Sequence, residues 1–469
     1  MRRNGETVEH VKKLMRTETA IPGLVLLDLP VPGDNRGWFK ENWQREKLLS
    51  LGLPDLDPVQ NNISFNDAVG TTRGIHAEPW DKYVSVATGR IFGAWVDLRD
   101  GPTFGAVFTA ELDPSRAILV PRGVGNSYQT LEPGTAYTYL VNDHWSQNAE
   151  YTFLNLADET VAIEWPIPLE SVEISVKDQA HPRLAEVEPM KPRKMLVLGG
   201  NGQLGRALRR TFPDAEFTTR AEFDVTDPAA WTSKHWKDYG VIINAAAYTS
   251  VDAAESPEGR REAWAVNVTA VGAMARVAAA NRITLVHVSS DYVFDGSVEV
   301  HSEDELLSPL GVYGQTKAAG DALVRTVPSH YIIRTSWVIG DGNNFVRTMA
   351  SLAERGIDPS VVDDQVGRLT FAEEIARGIA HLLSAAASGT YNLSNAGSPM
   401  SWAEVAQVVF EVTGHEPGRG TPVSTSEYFA GRRGIAPRPL HSTLDLARLV
   451  ETGFEPVDQV TALREYLTT

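Results

Sequence analysis

Residues 195–205 read MLVLGGNGQLG and decide the fold of the C-terminal part of the chain. Four apolar residues give a short strand pattern, and Gly199, Gly202 and Gly205 follow it directly. Glycines at this spacing let the backbone turn tightly and approach a pyrophosphate, which then lies at the N-terminus of the next helix. Because a strand pattern precedes the glycines and a helical pattern follows them, the stretch favours a nucleotide-binding turn over a plain tight turn.

The sequence beyond this turn continues the alternation of strand and helix. Continuous apolar runs are typical of parallel strands covered on both faces, and they occur at 241–244, 285–289 and 331–338. Helical periodicity separates them at 204–210, 262–280 and 316–325. We therefore predict an α/β Rossmann-type domain over residues 194–469, with a doubly wound parallel sheet and a small substrate subdomain.

The N-terminal half has a different pattern. Short apolar or alternating runs, separated by Gly, Pro, Asp and Asn, occur at 83–87, 91–98, 106–112, 117–120 and 137–141. This pattern predicts an all-β antiparallel sandwich or small barrel over residues 21–183. Residues 184–193 combine prolines and charges without periodicity, so we predict a linker there. Residues 1–20 are predicted to be a polar extension with one short helix.

Composition excludes several classes of function. The chain has 469 residues, no cysteine and a formal net charge of −17. Without cysteine there is no disulfide, no Cys-ligated zinc, no iron–sulfur cluster and no thiol nucleophile. An acidic surface repels phosphate backbones, so we expect no nucleic-acid partner. No apolar run reaches the length of about 18 residues that a membrane span needs, and no secretory signal is recognisable, so we expect a cytoplasmic protein.

Tyr313 and Lys317 are the first candidate catalytic pair. Their four-residue spacing places both side chains on one face of a predicted helix. A free tyrosine has a pKa of about 10, too high for efficient proton transfer at neutral pH, and a neighbouring ammonium group lowers it. Ser290 ends an apolar strand and is placed to donate a hydrogen bond to the same substrate oxygen. We expect Tyr313 to protonate a ketone that receives a hydride.

The residues after the second predicted strand bear on the choice of cofactor. Residues 218–220 read Thr-Thr-Arg and contain no carboxylate for a ribose 2′-hydroxyl. Arg220 suits a 2′-phosphate instead, and Asp224 and Val225 lie where an adenine would pass. The sequence favours NADPH, with NADH as the alternative.

The C-terminal part resembles the extended short-chain dehydrogenases/reductases, and specifically the dTDP-4-dehydrorhamnose reductase family, over essentially all of residues 194–469. The resemblance rests on the glycine turn, NAAAYTSVDAAE at 244–255, SDYVFDG at 290–296, the Tyr313–Lys317 pair, RTSW at 334–337 and RPLHSTLD at 438–445. It implies catalysis by Ser290, Tyr313 and Lys317 and sugar-nucleotide contacts from Thr249, Val251, Tyr292 and Trp337. The residues proposed to bind the cofactor are Gly199, Asn201, Gly202, Gln203, Leu204, Gly205, Arg220, Asp224, Val225, Ala245, Ala246, Ala247, Tyr313 and Lys317.

His76 is the candidate base of the N-terminal half. A metal site of the H-x-H type would place a second histidine two residues later, but Ala77 and Glu78 follow here, so we expect no metal centre. Taken alone, a single histidine is more often an ordinary packed or surface residue than a catalytic one.

The residues around His76 resemble the dTDP-4-dehydrorhamnose 3,5-epimerase family, a metal-free cupin-type jelly roll, over about residues 20–183. The motifs are DNRGWFKE at 34–41, QNNIS at 60–64, RGIH at 73–76, DLR at 97–99, PTFG at 102–105, WP at 165–166 and SVKD at 175–178. The resemblance implies that His76 is a base oriented by Asp178, that Tyr139 returns the proton and that Lys82 stabilises an enolate. It implies substrate contacts from Arg36, Glu41, Gln60, Asn62, Arg73, Asn126, Glu150 and Lys177, where Asn126 replaces the usual histidine.

Together the two resemblances predict a bifunctional enzyme. It would epimerise dTDP-4-dehydro-6-deoxy-D-glucose at C3 and C5 and then reduce the 4-ketone with NADPH to dTDP-L-rhamnose. Two alternatives stay open: a reductase whose β domain only binds sugar nucleotide, and a non-catalytic NADP-binding regulatory subunit. Both families commonly form homodimers, so we expect a homodimer, with Mg²⁺ as an optional ion at a reductase interface.

Overall fold

The computed structural model describes residues 13–147 and 149–468, and the chain divides into two compact units, Met1–Pro192 and Arg193–Thr469. The first is built almost entirely from antiparallel strands, and the second has a parallel sheet flanked by helices. The predicted fold class, an all-β domain followed by a Rossmann-type α/β domain, is confirmed.

The first unit is a sandwich of two antiparallel sheets and a small hairpin. Its strands are β1 (Met15–Glu18), β2 (Val25–Asp28), β3 (Gly33–Asp34), β4 (Gly37–Trp38), β5 (Gln60–Asn66), β6 (Thr72–Ala77), β7 (Lys82–Thr88), β8 (Ile91–Asp97), β9 (Val107–Leu112), β10 (Arg116–Val120), β11 (Val124–Thr130), β12 (Thr135–Val141) and β13 (Thr152–Phe153). Its helices are α1 (Arg45–Ser50) and α2 (Val176–Gln179). The strand orders are β1-β2-β10-β7-β12-β5 and β13-β6-β11-β8-β9, and β3 pairs with β4. Apolar side chains between the two large sheets form the core, as expected where one face of each antiparallel sheet is buried.

Two of the predictions for this unit need correction. Met15–Glu18 is a strand paired with β2, so the helix predicted in the N-terminal extension is wrong for these residues, while residues 1–12 lie outside the described part. Within the predicted linker, Leu184, Val187 and Met190 are buried in the first unit. These three apolar side chains recur every three residues and form one face, a pattern that the many prolines and charges concealed.

The second unit is organised around a six-stranded parallel sheet. Its strands are β14 (Lys194–Leu198), β15 (Glu216–Thr218), β16 (Tyr239–Asn244), β17 (Thr284–Ser290), β18 (Val300–His301), β19 (His330–Thr335), β20 (Val338–Ile339), β21 (Ser360–Val362), β22 (Val366–Gly367), β23 (Thr370–Phe371), β24 (Gly389–Asn392), β25 (Met400–Ser401), β26 (Thr421–Val423) and β27 (Thr443–Leu444). Its helices are α3 (Gln203–Thr211), α4 (Pro257–Trp264), α5 (Ala270–Asn281), α6 (Val312–Val324), α7 (Phe345–Glu354), α8 (Ala372–Ala385), α9 (Trp402–Val412), α10 (Thr425–Tyr428), α11 (Ala447–Glu451) and α12 (Gln459–Thr468).

The order of the main sheet is β15-β14-β16-β17-β19-β24. The chain passes from β14 to β15 on one side and then crosses to β16 on the other, so the order reverses between β14 and β16. In open α/β sheets, ligands bind outside the carboxyl ends of the strands at such a reversal. The short strands β20 to β23 and β25 to β26, with α7, α9 and α12, form a separate apolar cluster beyond the sheet, which is the small subdomain expected from the sequence.

The apolar run predicted at 331–338 is not one strand. It breaks between β19 and β20, where Trp337 adopts a φ of 45°. A left-handed backbone cannot continue an extended strand, so the chain turns here and carries Trp337 out of the sheet.

One helical stretch, Pro257–Asn281, is long and apolar enough to cross a membrane by length and composition. Its side chains Val271, Met274 and Ala278 lie in the core of the second unit, against β16 and β17. Buried core helices meet the same criterion, so this stretch is explained by packing on the sheet.

Candidate active sites

The turn after β14 forms a glycine cradle at the reversal of the sheet. Gly199 has a φ of 82°, and a Cβ there would lie 2.8 Å from the amide nitrogen of Ala246. A Cβ on Gly205 would lie 2.3 Å from the carbonyl oxygen of Gly199. Only glycine fits at both positions, and the cradle opens onto the N-terminus of α3, where a pyrophosphate is favoured.

Two adjoining cavities share Gly202, Ala245 and Ala247 as walls. The first has a volume of about 310 Å³ and includes the residues expected to hold the adenosine end of the cofactor. It is lined by Gly199, Asn201, Gly202, Thr219, Arg220, Phe223, Asp224, Val225, Ala245, Ala246, Ala247, Tyr248 and Val266. Arg220 is exposed and donates to Asp224 across 3.4 Å, which leaves its guanidinium near the rim of this cavity. The residues therefore fit a dinucleotide with a 2′-phosphate.

The second cavity, of about 520 Å³, brings together every residue predicted for the reductase reaction. Its walls include Gln203, Leu204, Ser290, Tyr313 and Lys317, together with the four predicted sugar-nucleotide contacts, Thr249, Val251, Tyr292 and Trp337. They come from the first turns of α3 and α6, from the end of β17 and from the loops that follow β16, β17 and β19. Their convergence follows from the parallel sheet, whose strands all end at this edge.

Tyr313 is buried, and the causes of its pKa shift correct one expectation. Burial raises the pKa of Tyr313 to about 12, and the negative charge of Asp291 contributes to this rise. The hydrogen bond with Ser290 acts in the opposite direction and lowers the pKa. The pKa of Tyr313 is therefore raised, against the expectation that Lys317 lowers it, because the loss of hydration outweighs the hydrogen bond with Ser290. The phenol holds its proton at neutral pH and is present as a donor, although a pKa this high makes it a weak acid.

Lys317 is fixed from two sides. Its Nζ donates to the carbonyl oxygen of Val288 at 2.7 Å and lies 3.5 Å from Nε2 of His287. Burial lowers the pKa of Lys317 to about 8, and the charge of Asp321 opposes this shift. The ammonium form of Lys317 is therefore present below about pH 8 and is lost above it.

His287 was missed in the sequence because it lies within an apolar strand. The amide nitrogen of Ala246 donates to Oδ1 of Asn244 at 3.2 Å, which fixes the orientation of the Asn244 side chain. Its Nδ2 therefore faces Nδ1 of His287 at 2.9 Å and donates a hydrogen bond to that nitrogen. The network thus assigns the proton of the neutral ring to Nε2, next to Lys317. Burial keeps the pKa of His287 well below its usual value, so the ring is neutral.

The His287→Gln variant tests this arrangement. The glutamine side chain can turn its carbonyl oxygen toward Nζ and accept a hydrogen bond, which favours the ammonium form of Lys317. We expect the alkaline limb of the pH profile for kcat of NADPH oxidation to move up by about one pH unit. His287→Phe, which offers no acceptor, is the matched control and is expected to show no upward shift. Superimposable limbs for the wild type and His287→Gln would rule out a role of His287 in setting the pKa of Lys317.

Trp402 gave no signal in the sequence, and the motifs that contain Asp252 and Arg438 did not show that these two residues pair. Trp402 stacks on Trp337, with ring centroids 3.7 Å apart, and lines the same cavity. Asp252 accepts from Arg438 at 2.9 Å and from the amide of Ala436 at 3.0 Å, which ties the C-terminal segment to the loop after β16. These partners are far apart in sequence, and only the fold brings them together.

The first unit holds a histidine–aspartate dyad between its sheets. Nε2 of His76 lies 2.9 Å from Oδ1 of Asp178, and Asp178 is buried on α2. Hydrogen bonds from His76 and from the amide of Gly74 lower the pKa of Asp178, although burial, the largest single cause, raises it. The carboxylate therefore stays charged and orients His76.

Tyr139 and Lys82 face the dyad from the opposite sheet. The hydroxyl of Tyr137, two residues before Tyr139 on β12, donates to Oδ1 of Asn126. Asn126 lies on β11 in the other sheet, directly opposite His76 on β6. Alternate residues of a strand share a face, so Tyr139 points into the same interior. Nζ of Lys82 lies 5.5 Å from the centre of the Tyr139 ring. The arrangement leaves an acid and a cation opposite a base.

Lys82 is buried and forms an ion pair with Glu78. Burial lowers the pKa of Lys82, while the Glu78 carboxylate, in direct contact, favours the charged ammonium. Burial brings the pKa of Lys82 to about 7, so its ammonium form is present below about pH 7 and is lost above it.

Asn126 is tied to the core. Its Oδ1 accepts from Nε1 of Trp95 at 2.9 Å and from the hydroxyl of Tyr137 at 3.0 Å. Only its Nδ2 can serve the substrate contact predicted from the sequence, because the oxygen is committed to these partners.

The other predicted substrate contacts of this unit fall into two groups. The first group lies near Tyr139 and consists of Gln60, Asn62 and Arg73. Asn62 pairs with Tyr139 across β5 and β12, and Gln60 donates a hydrogen bond to Asn62. Burial raises the pKa of Tyr139, and the positive charge of Arg73 partly opposes this rise. Lys177 lies over the ring of Phe153, which packs against His76. Among the described contacts, Arg36 pairs with Asp34 and Glu41 with Lys47, while Glu150 is exposed, so the structure does not bring these three to the dyad.

His181 is the residue of this unit that sequence reasoning missed. It lies 3.8 Å from Asp178 and packs on His76 and Phe153. Within the described residues, His76, Asp178 and His181 form the one group of three side chains able to hold a metal ion. The described part of the second unit has no such group, so the Mg²⁺ expected at a reductase interface finds no support.

Comparisons with known proteins match each unit separately. The family model described as RmlD substrate binding domain matches residues 193–469, and that of dTDP-4-dehydrorhamnose 3,5-epimerase matches residues 18–186. A dTDP-4-dehydrorhamnose reductase of Aggregatibacter actinomycetemcomitans is 36% identical over 288 residues, covering 58% of this chain and 97% of that protein. A protein RmlC homolog of Streptococcus pyogenes is 49% identical over 182 residues, covering 37% of this chain and 91% of that protein.

Solved structures resemble the second unit. A dTDP-4-dehydrorhamnose reductase from Clostridium acetobutylicum is 34% identical with a TM-score of 0.54 and covers 59% of this chain and 98% of that one. The dTDP-4-dehydrorhamnose reductase of Bacillus anthracis, solved in complex with NADP, is 30% identical with a TM-score of 0.54 and the same coverage.

Proposed function

The chain belongs to the RmlD substrate-binding-domain family over residues 193–469 and to the dTDP-4-dehydrorhamnose 3,5-epimerase family over residues 18–186, and from this premise we propose how it makes dTDP-L-rhamnose. The first unit epimerises dTDP-4-dehydro-6-deoxy-D-glucose at C3 and C5. The second unit reduces the C4 ketone of the product. One polypeptide thus carries two consecutive steps.

In the epimerase step, the C4 ketone makes the protons on C3 and C5 acidic. His76 donates from Nε2 to Asp178, so Nδ1 carries the lone pair that takes the proton from carbon. The electron pair moves to the C4 oxygen, where the ammonium of Lys82 stabilises the enolate. Tyr139 gives a proton to the opposite face of the same carbon, which inverts its configuration, and recovers a proton from solvent.

In the reductase step, a nicotinamide cofactor held by these cavities would supply the hydride that C4 receives. Gly199, Gly202 and Gly205 would let the backbone approach its pyrophosphate, and Gly202, Ala245 and Ala247 form the wall that the two cavities share. Ser290 donates a hydrogen bond to the C4 oxygen, and Tyr313 gives it the proton that completes the alcohol. Lys317 then returns a proton to the Tyr313 oxygen, as its pKa of about 8 allows at neutral pH.

We propose NADPH as the preferred reductant, on the position of Arg220 and on the NADP bound to the Bacillus anthracis relative. A guanidinium forms charge-assisted hydrogen bonds with a phosphate, and a 2′-hydroxyl offers no such charge.

The Arg220→Ala variant tests this preference. We expect the KM for NADPH to rise about tenfold through loss of the charge-assisted bonds, and the KM for NADH to stay within twofold. Arg210→Ala is the matched control, since Arg210 pairs with Asp341 and Glu373 away from the cavity lining. Equal changes for the two cofactors would contradict a contact between Arg220 and the 2′-phosphate.

The observation that carries the proposed function is that each unit has its own acid–base set, His76–Asp178 in the first and Ser290–Tyr313–Lys317 in the second. The test is NADPH oxidation by the full chain with dTDP-4-dehydro-6-deoxy-D-glucose and no added epimerase. We expect steady oxidation. If NADPH oxidation starts only after a separate epimerase is added, the chain acts as a reductase and not as an epimerase.

We also propose a homodimer in the cytoplasm, as expected from the sequence. Ile63 and Phe65 on edge strand β5 are 68% and 59% exposed. Apolar side chains on an edge strand favour pairing with a second chain, which supports the dimer.

A further inference from the structure

His76, Asp178 and His181 form a compact group of potential metal ligands. Nε2 of His76 and Nε2 of His181 lie 2.9 and 3.8 Å from the same oxygen, Oδ1 of Asp178, and the three ligand atoms all lie within 4.8 Å of one another. Ligands of a tetrahedral zinc ion, bound at about 2.0 Å, are separated by a little over 3 Å. Small side-chain rotations bring the three atoms to that spacing.

His181 has no task in the reactions described above. Its side chain is 95% buried, and among the described residues its ring nitrogens make only a weak contact with the backbone of Leu154 and a 3.8 Å approach to Oδ1 of Asp178. Buried polar groups almost always have well-formed hydrogen bonds, so a weakly paired imidazole beside a carboxylate requires an explanation.

We propose that this group binds one Zn²⁺ ion per chain and that the bound ion stops proton abstraction by His76. Two imidazoles and a carboxylate suit zinc, which takes three protein ligands and one water in open sites. Mg²⁺ and Ca²⁺ prefer sets made only of oxygen ligands and are disfavoured here.

The loss of the base follows from the proton count on His76. In the dyad, Nε2 carries the proton and Nδ1 the lone pair. A zinc ion between His76 and Asp178 takes the Nε2 position, and the neutral ring then carries its proton on Nδ1. No lone pair remains to accept a proton from C3 or C5. This inhibition rests on the proposed epimerase function, whereas the binding of zinc does not.

The test uses the full chain freed of metal by chelation and titrated with Zn²⁺ against a chromophoric chelator. We expect one ion per wild-type chain and none for His181→Phe or His181→Leu. His235→Ala, which removes an exposed histidine of the second unit, is the matched control and should bind as the wild type does. Circular dichroism and thermal unfolding, compared with those of the wild type, report whether the first unit of each His181 variant is folded. Wild-type stoichiometry in both His181 variants, or no zinc on the wild type, would overturn the site.

The proposed inhibition is tested by solvent deuterium exchange at C3 and C5, measured along the same zinc titration. We expect the wild type to lose exchange in proportion to bound zinc, and His181→Phe to keep its own metal-free rate. Undiminished exchange on a zinc-loaded wild type overturns the inhibition. An absence of exchange before zinc is added overturns the epimerase function instead, and the chelator titration still decides the site.

Discussion

Tyr313→Phe is expected to reduce the kcat of NADPH oxidation by about 10²- to 10⁴-fold, the range typical for loss of a general acid. The variant removes one oxygen atom from a buried ring and leaves the cavity wall in place. The C4 oxygen then develops negative charge with no proton donor beside it. The measurement is the initial rate of NADPH oxidation with the epimerised ketone.

Tyr331→Phe is the matched control for this variant. The Tyr331 hydroxyl donates to the carbonyl of Ala386 in the core of the same unit, outside the cavity. Its loss should leave the rate of NADPH oxidation unchanged. The epimerase exchange of Tyr313→Phe should also equal that of the wild type, because the first unit is untouched. A rate for Tyr313→Phe close to that of the wild type would remove Tyr313 from the acid role.

His76→Ala is expected to lower solvent deuterium exchange at C3 and C5 by about 10²- to 10⁴-fold, since it removes the general base. NADPH oxidation starting from dTDP-4-dehydro-6-deoxy-D-glucose should fall with it. Oxidation starting from the epimerised ketone should not change, which serves as the internal control for folding of the second unit. Exchange as fast as that of the wild type would show that another group removes the protons.

The reductase site could be predicted well because its residues lie at strand ends. In a parallel sheet the carboxyl ends of all strands meet at one edge, so motifs after β14, β16 and β17 must converge. Sequence spacing therefore placed Ser290, Tyr313 and the glycine turn in one cavity without any knowledge of contacts. His287 could not be predicted, because a histidine within an apolar strand gives no sign of its neighbours.

The pKa of Tyr313 also could not be predicted from the sequence. A four-residue spacing shows that Lys317 shares a helix face with Tyr313, but it does not show how far both are buried. In the structure, burial raises the pKa of the tyrosine and lowers that of the lysine. The lysine then acts by returning a proton, and loss of its ammonium form limits activity above about pH 8.

The epimerase site was predicted less completely. The antiparallel sandwich brings His76, Tyr139 and Lys82 to its interior from both sheets, as the resemblance implied. His181 lies three residues beyond the last motif, SVKD at 175–178, near the end of the predicted β domain, and no motif drew attention to it. Its contact with Asp178 depends on the short helix α2, which sequence periodicity did not reveal.

The central claim is that one chain performs both steps, and product analysis by NMR tests it most directly. The full chain is incubated in deuterated water with dTDP-4-dehydro-6-deoxy-D-glucose and NADPH. The account predicts dTDP-L-rhamnose with deuterium at C3 and C5 and the hydrogen of the cofactor at C4. A product that keeps its original hydrogen at C3 or C5, or a ketone left unreduced, would contradict it.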